Sequence, residues 1–221
     1  MKTISINQFV KYQAATERGR QSIIKAQTNP NPYRTPWYQL AKARIKKYLQ
    51  NPIDVSPITA GIEELKSRTP QNKRQKSDFP FSIEALKRVA SMKLPKLLYE
   101  HPYEVIIPED KAIKLNGLQI NINPEVIVKA TINGQIVYGG VKIYLAKSKA
   151  LTLTQSKTQS TLLYHYLTEK IAMKGEIVLP ELCFSLDVFN NRWVAAYGDD
   201  QAAFDEIERQ CEEIVRGWDV L

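Results

Sequence analysis

The stretch from Ile120 to Leu167 constrains what this chain can fold into more than any other segment. Pro124-Glu125 opens an apolar run, Val126-Ile127-Val128, of strand character. Asn133-Gly134 is a hairpin turn signal, because both residue types tolerate positive φ. Ile136-Val137-Tyr138 then leads through Gly139-Gly140 into Val141-Lys142-Ile143-Tyr144-Leu145. A loop rich in Ser, Thr and Lys follows, and Gln159 to Leu167 is helix-like. The order is strand, turn, strand, loop, helix.

The flanking segments extend this pattern. Ser5 caps a short helix through Gln8, with Ile6, Phe9 and Val10 on one face. A second helix covers Glu17 to Ala26 and is broken by Asn29-Pro30-Asn31-Pro32. Pro36 opens a third, Trp37 to Leu49, with Trp37, Leu40, Ala41, Ile45 and Tyr48 at helical spacing. Such a basic amphipathic helix stacks or pairs on nucleic acid through its aromatics, or packs its stripe on the core, the plainer reading for Trp37. Thr59 to Ser67 is helical, and the basic run from Pro70 to Asp78 reads as a mobile loop. Ser82 caps a further helix with Ile83, Leu86, Val89 and Ala90 on one face. Strands are expected over Tyr103 to Ile107, Lys111 to Asn116 and Leu118 to Asn123, the last two joined at Asn116-Gly117. Leu182 to Phe189 and Arg192 to Tyr197 form a hairpin turned by Asn190-Asn191. An acidic amphipathic helix, Asp200 to Trp218, ends the chain. The expected class is α+β: a central mixed sheet flanked by helices, with a basic helical N-terminal region. Residues 1–81 form that region and a linker. Residues 82–221 form the α+β core, and the two make one continuous globular unit.

Charge narrows the partners. Residues 1–100 carry 19 Lys and Arg against 7 Asp and Glu, whereas residues 101–221 carry 12 against 16. A basic half interleaved with aromatics is a surface for phosphate backbones, or a solvated Lys-rich exterior. Arg18, Arg20, Lys42, Arg44, Lys46 and Lys47 are its candidate DNA or RNA contacts. No run approaches the ~18 consecutive apolar residues of a membrane span, and the opening residues lack a signal-peptide core, so a cytoplasmic protein with no membrane partner is expected. Cys183 and Cys211 read as reduced thiols, and with only His101 and His165 beside them they make no zinc site. Phosphate-binding Gly loops, dinucleotide fingerprints and Ser-nucleophile elbows are absent from the sequence.

Lys142 lies between Val141 and Ile143 in a central strand, so it is paired, snorkelled or part of a site. Gly139-Gly140 beside it signals a bulge or a close backbone approach. With Lys147 and Lys149 at the strand exit, an anion site is the sharpest reading, and a Lys-protected edge strand the plainer one. Asp187 alternates with apolar neighbours and is expected to face outward. His165, between Tyr164 and Tyr166, is expected to be packed or exposed.

This layout resembles the core of the PD-(D/E)XK nucleases, and its RecB-type branch in particular. The resemblance implies a restriction-endonuclease-like core in which two acids on adjacent strands clamp a cation, typically Mg²⁺. A Lys two residues after the second acid would share its strand face. Glu125 and Lys142 match the first acid and the Lys, as catalytic candidates. The second acid's place is taken by Gly140, which removes a metal ligand; Glu104, or Glu100, is the upstream substitute to act with Glu125. Gln159 with Tyr164 resembles the branch's DNA-positioning Gln and Tyr at a spacing of five rather than four, and Gln155 is another candidate for the Gln. Ile4 to Tyr12 resembles its N-terminal helix opening.

The expected function is nucleic-acid binding on a catalytically degenerate nuclease-like scaffold. One alternative is a protein-interaction subunit of a larger bacterial complex. A second is an active nuclease, which would require Mg²⁺.

Overall fold

The structure is a computed structural model that describes residues 1–29, 36–198 and 200–220, with Leu97 described by its backbone alone. The proline-rich break expected after Asn29 falls outside the described residues.

Strand β1 (Lys2–Ser5) opens the chain and leads directly into α1 (Ile6–Gln13). Ser5 caps α1 as expected, its Oγ accepting from the Gln8 N–H at 3.3 Å. Helix α2 (Glu17–Thr28) follows, capped by Thr16. Then come α3 (Gln39–Gln50), α4 (Ser56–Ser67), α5 (Lys73–Ser91) and the single turn α6 (Leu97–Glu100). Four strands follow: β2 (Tyr103–Val105), β3 (Ala112–Leu115), β4 (Leu118–Asn121) and β5 (Val126–Ile132). The chain closes with β6 (Gln135–Tyr144), α7 (Leu153–Lys170), β7 (Ile177–Asp187), β8 (Arg192–Ala195) and α8 (Gln201–Asp219).

The class is α+β, as expected, but the strands among the described residues divide into two sheets. The larger has the order β2-β5-β6-β7-β8, antiparallel throughout except for the parallel β6–β7 pair. The smaller has the order β1-β4-β3, with β1 parallel to β4. Both predicted Asn-Gly hairpins form, with φ of 45° and 79° at Asn116-Gly117 and 52° and 78° at Asn133-Gly134. These are the positive dihedrals of the turn whose twist matches paired strands.

The five-stranded sheet is covered on both faces. Val126, Val128, Val141 and Ile143 face a core built with α3, α4 and α5. Ile127, Tyr138 and Tyr144 face the other core, built with α7, α1, α8 and the small sheet. Helix α7 packs against β6 and β7 and also meets α1, α8, β3 and β8. It is therefore buried on most sides, and its small polar residues satisfy themselves locally. Ser160 Oγ donates to the Ser156 carbonyl at 3.1 Å, and Thr161 Oγ1 accepts from the Tyr197 N–H at 3.2 Å.

Several expected boundaries move. The basic stretch read as a mobile loop belongs mostly to α5, which starts at Lys73 under an Asn72 cap. Ser82 is thus an interior helical residue, buried, with Oγ 3.4 Å from Asp78 Oδ1. Pro80 sits inside the helix, where the lost hydrogen bond and ring clash cost about 3 kcal/mol, offset by burial of Ala85, Leu86 and Val89. A division at residue 81 would cut this helix. Helix α3 begins two residues later than expected, leaving Trp37 outside it and 44% exposed rather than packed on the core. Helix α7 begins at Leu153, under a Thr152–Gln155 capping box. The β7–β8 connection runs from Val188 to Asn191, so it is longer than the expected two-residue turn.

Candidate functional site

Position 140 decides the chemistry of the central strand. A Cβ there would lie 3.1 Å from the Val126 carbonyl oxygen, 3.3 Å from Leu167 Cδ1 and 3.5 Å from Leu163 Cδ2. Glycine lets α7 settle onto β6 at this point. The expected irregularity is also present: the β6–β7 register jumps from Tyr138↔Val178 to Gly140↔Cys183, so β7 carries extra residues around Pro180.

Two residues on, the Lys142 side chain is 3% exposed and that of Glu125 4%. They form an ion pair, with Nζ 3.2 Å from Oε1. Lys142 also donates to the Asn123 carbonyl at 2.6 Å. Asn123 reaches that position through a left-handed backbone, φ 45°, immediately before Pro124. Glu125 Oε2 accepts from the Ile143 N–H at 2.7 Å, so the carboxylate continues the β5–β6 ladder past its last backbone bonds. Lys42 reaches over from α3, with Nζ 2.6 Å from Glu125 Oε1. One carboxylate is thus shared by two ammonium groups and a backbone N–H. Burial pushes the Lys142 amine below its ordinary range, and the Glu125 charge pulls it partly back.

This pair is not joined by further acids. Glu104 lies on the edge strand β2 opposite Lys129, four residues along β5 from Glu125, so the two are not brought together as metal ligands. Glu100 ends α6 and pairs with Lys96. Among the described residues no group of three or more His, Cys, Asp and Glu side chains is placed to hold a metal ion.

Gln159 is fully buried. Its Oε1 accepts from Ser185 Oγ at 2.6 Å and its Nε2 donates to Asn7 Oδ1 at 2.9 Å. Ser185 is the β7 partner of Lys142, so the Gln lies over the same patch of sheet. Tyr164 points elsewhere, with its ring 5.4 Å from that of His165, because five residues on a helix turn the side chain well away from Gln159. Gln155 is committed to the α7 cap and to the Val10 carbonyl, 2.6 Å away.

The basic candidates scatter over the surface. Arg20 pairs with Glu213, Arg44 with Glu64, and Lys147 with Glu84. Arg18 is exposed on α2, Lys47 on α3, and Lys149 in the loop before α7. Lys147 and Lys149 therefore do not converge with buried Lys142 on one anion site. Lys42 and Lys46 do converge, on a cleft of about 450 Å³ between α3 and the segment before β5. Lys111, Asn123, Glu125 and Trp37 line it too. Lys111 carried no distinguishing signal, whereas Ser185, a polar residue inside an apolar strand, did.

Asp187 corrects another expectation. It is fully buried, and accepts from the Leu151 N–H at 3.1 Å and from Asn190 Nδ2 at 2.8 Å. It ties the loop before α7 to the end of β7, a structural task. Cys183 and Cys211 are free and buried, and burial raises both thiols, Cys211 to about 12. No helix among the described residues is long and apolar enough to cross a membrane. No protein-family model matches this chain, and no curated protein is detectably similar to it in sequence.

Proposed function

We propose that this is a cytoplasmic nucleic-acid-binding protein on a degenerate PD-(D/E)XK-like scaffold, which holds backbone phosphates without cleaving them. The observation that carries the reading is the cleft beside α3. Lys46 and Lys111 are exposed there and enter no ion pair among the described residues, while Lys42 neutralises Glu125, the carboxylate that lines it. Two uncommitted cations beside a neutralised acid favour a polyanion. The scaffold part of the reading is supported by Glu125 and Lys142 meeting on adjacent strands, with Gln159 and Asn7 close to the same patch. Degeneracy is supported by Gly140 and by a Glu125 whose oxygens already serve three donors. Two buried free cysteines suit a reducing compartment.

The test is fluorescence anisotropy with labelled DNA and RNA across a salt series, beside a cleavage assay with Mg²⁺ or Mn²⁺ and with chelator. Binding that weakens steeply with salt and drops in Lys46→Glu/Lys111→Glu, without cleavage, is expected. Metal-dependent cleavage lost in Lys142→Ala would overturn the degenerate assignment in favour of an active nuclease. No binding at low salt would overturn the nucleic-acid reading and leave a protein partner as the alternative.

A further inference from the structure

Trp37 is held exposed by a small built framework. Single exposed hydrophobic residues are ordinary. Here, however, the backbone on both sides of the ring is fixed. The Tyr38 N–H donates to buried Asp78 at 2.9 Å, and Tyr38 itself takes a left-handed conformation, φ 60°. On the other side, Arg74 Nη2 donates to the Pro36 carbonyl at 2.8 Å. The same guanidinium lies 5.7 Å from the Trp37 ring centroid. Helix α5 thus supplies both residues, Asp78 and Arg74, that set the ring at the edge of the cleft. Lys42 and Lys46 stand one helical turn apart along its wall, and Lys111 lines it as well.

We infer that this cleft takes a single strand of nucleic acid, with one base stacked on Trp37 and adjacent phosphates held by Lys46 and Lys111. The inference rests on the nucleic-acid reading above and narrows it. A flat aromatic surface and two cations in one cleft match the two parts of a nucleotide. A duplex keeps its bases stacked on one another and offers phosphates alone, so it engages the lysines and leaves the Trp unused. An unpaired base has a free face, and stacking on an aromatic side chain is sequence-tolerant. An acidic peptide would also engage the lysines, and it is separated from a nucleic acid by the failure of every oligonucleotide to bind.

The experiment compares a labelled single strand of about ten nucleotides with the duplex of the same sequence, in DNA and in RNA. Each is titrated with the parent protein, Trp37→Ala, Trp37→Phe and Lys46→Glu/Lys111→Glu, after circular dichroism has shown each variant folded. The expected result is a single-strand preference of about tenfold, the order of one base–aromatic stack. Trp37→Ala should abolish the preference without altering duplex affinity, and Trp37→Phe, which keeps a ring, should retain most of it. If Trp37→Ala leaves single-strand affinity unchanged while the charge reversal weakens both forms, the stacking inference fails and the phosphate-binding reading stands. If no oligonucleotide binds at low salt, both fail.

Discussion

Replacing Glu125 by Gln tests the buried centre most directly. The change keeps shape and removes one charge. The carboxylate offers two oxygens to three donors: Lys42 Nζ, Lys142 Nζ and the Ile143 N–H. A Gln amide offers one oxygen and an NH₂ group, so in either orientation a donor faces a donor. Lys42 is 43% exposed and can turn to water, but Lys142 cannot. Breaking a buried pair in this way costs about 3–5 kcal/mol. An independent ceiling comes from deprotonation. Bringing a lysine from its ordinary 10.5 to neutrality at pH 7 costs about 5 kcal/mol at ~1.36 kcal/mol per pH unit, so no larger penalty is expected.

That escape route gives the variant a pH signature. In Glu125→Gln the native Lys142 holds its proton less tightly than the unfolded chain does. The unfolded state then binds more protons, and stability rises with pH. Burial lowers Lys142 in the parent protein too, but there the Glu125 charge opposes it. The deficit should therefore shrink with rising pH over the range where the parent still holds the proton and the variant does not, by at most about 1.4 kcal/mol per unit. Urea denaturation followed by far-ultraviolet circular dichroism at several pH values measures it. The double variant Glu125→Gln/Lys142→Met should recover most of the loss, because it removes the stranded charge. A deficit below about 1 kcal/mol at pH 7, or one that does not change with pH, would refute the account of Lys142 as a buried ammonium group sustained by Glu125.

Three further outcomes follow from burial. Gly140→Asp, which places an acid two residues before Lys142, should destabilise the protein by about 3 kcal/mol or more. Its Cβ meets the Val126 carbonyl and Leu167, and its carboxylate would be buried among leucines. A stable Gly140→Asp variant that cleaves DNA with Mn²⁺ would contradict this. At alkaline pH, Cys211, Tyr144 and Tyr166 are all raised to about 12 by burial, so the unfolded state loses their protons first. Stability should therefore fall between the ordinary value of 9.0 for the thiol, or 10.0 for the phenols, and about 12. Both thiols should resist a disulfide reagent at pH 8 until denaturant is added, and rapid labelling in the native state would refute their burial.

Features set by local chemistry could be read from the sequence. The Ser5 cap, both Asn-Gly hairpins and the amphipathic α8 each depend on a few adjacent residues, and each formed. Misreadings came where tertiary burial overrode local signals. The run from Lys73 to Asp78 is polar and basic, which suggests a loop, yet an Asn72 cap and the apolar residues beyond Pro80 carry one helix through it. Polar Ser, Thr and Gln hid the first turns of α7 because this helix is enclosed on most sides and its exposed residues lie mainly at its two ends, where they give no periodic pattern. Strand β1 is only four residues long, and its parallel pairing with β4 joins positions more than a hundred residues apart, which no local pattern reports.

The same division explains the candidate site. The Asn133-Gly134 hairpin signal was enough to place Glu125 and Lys142 on adjacent strands, and the register Val126↔Val141 sets them opposite each other. The cleft was not legible, since it depends on how α3 sits across the sheet. Lys42, read as one surface lysine among several, became the second partner of Glu125 only through that docking. Trp37 was misassigned for a related reason. Its spacing fits the apolar stripe of α3, but Tyr38 turns left-handed before the helix begins, and the hydrogen bond to Asp78 fixes that turn. Asp78 lies forty residues away in the chain, inside the segment that reads as a loop. The misreading of α5 and the misplacement of Trp37 are therefore one error. Correcting the helix supplies both Asp78 and Arg74, and with them the reason an indole stands exposed beside two lysines.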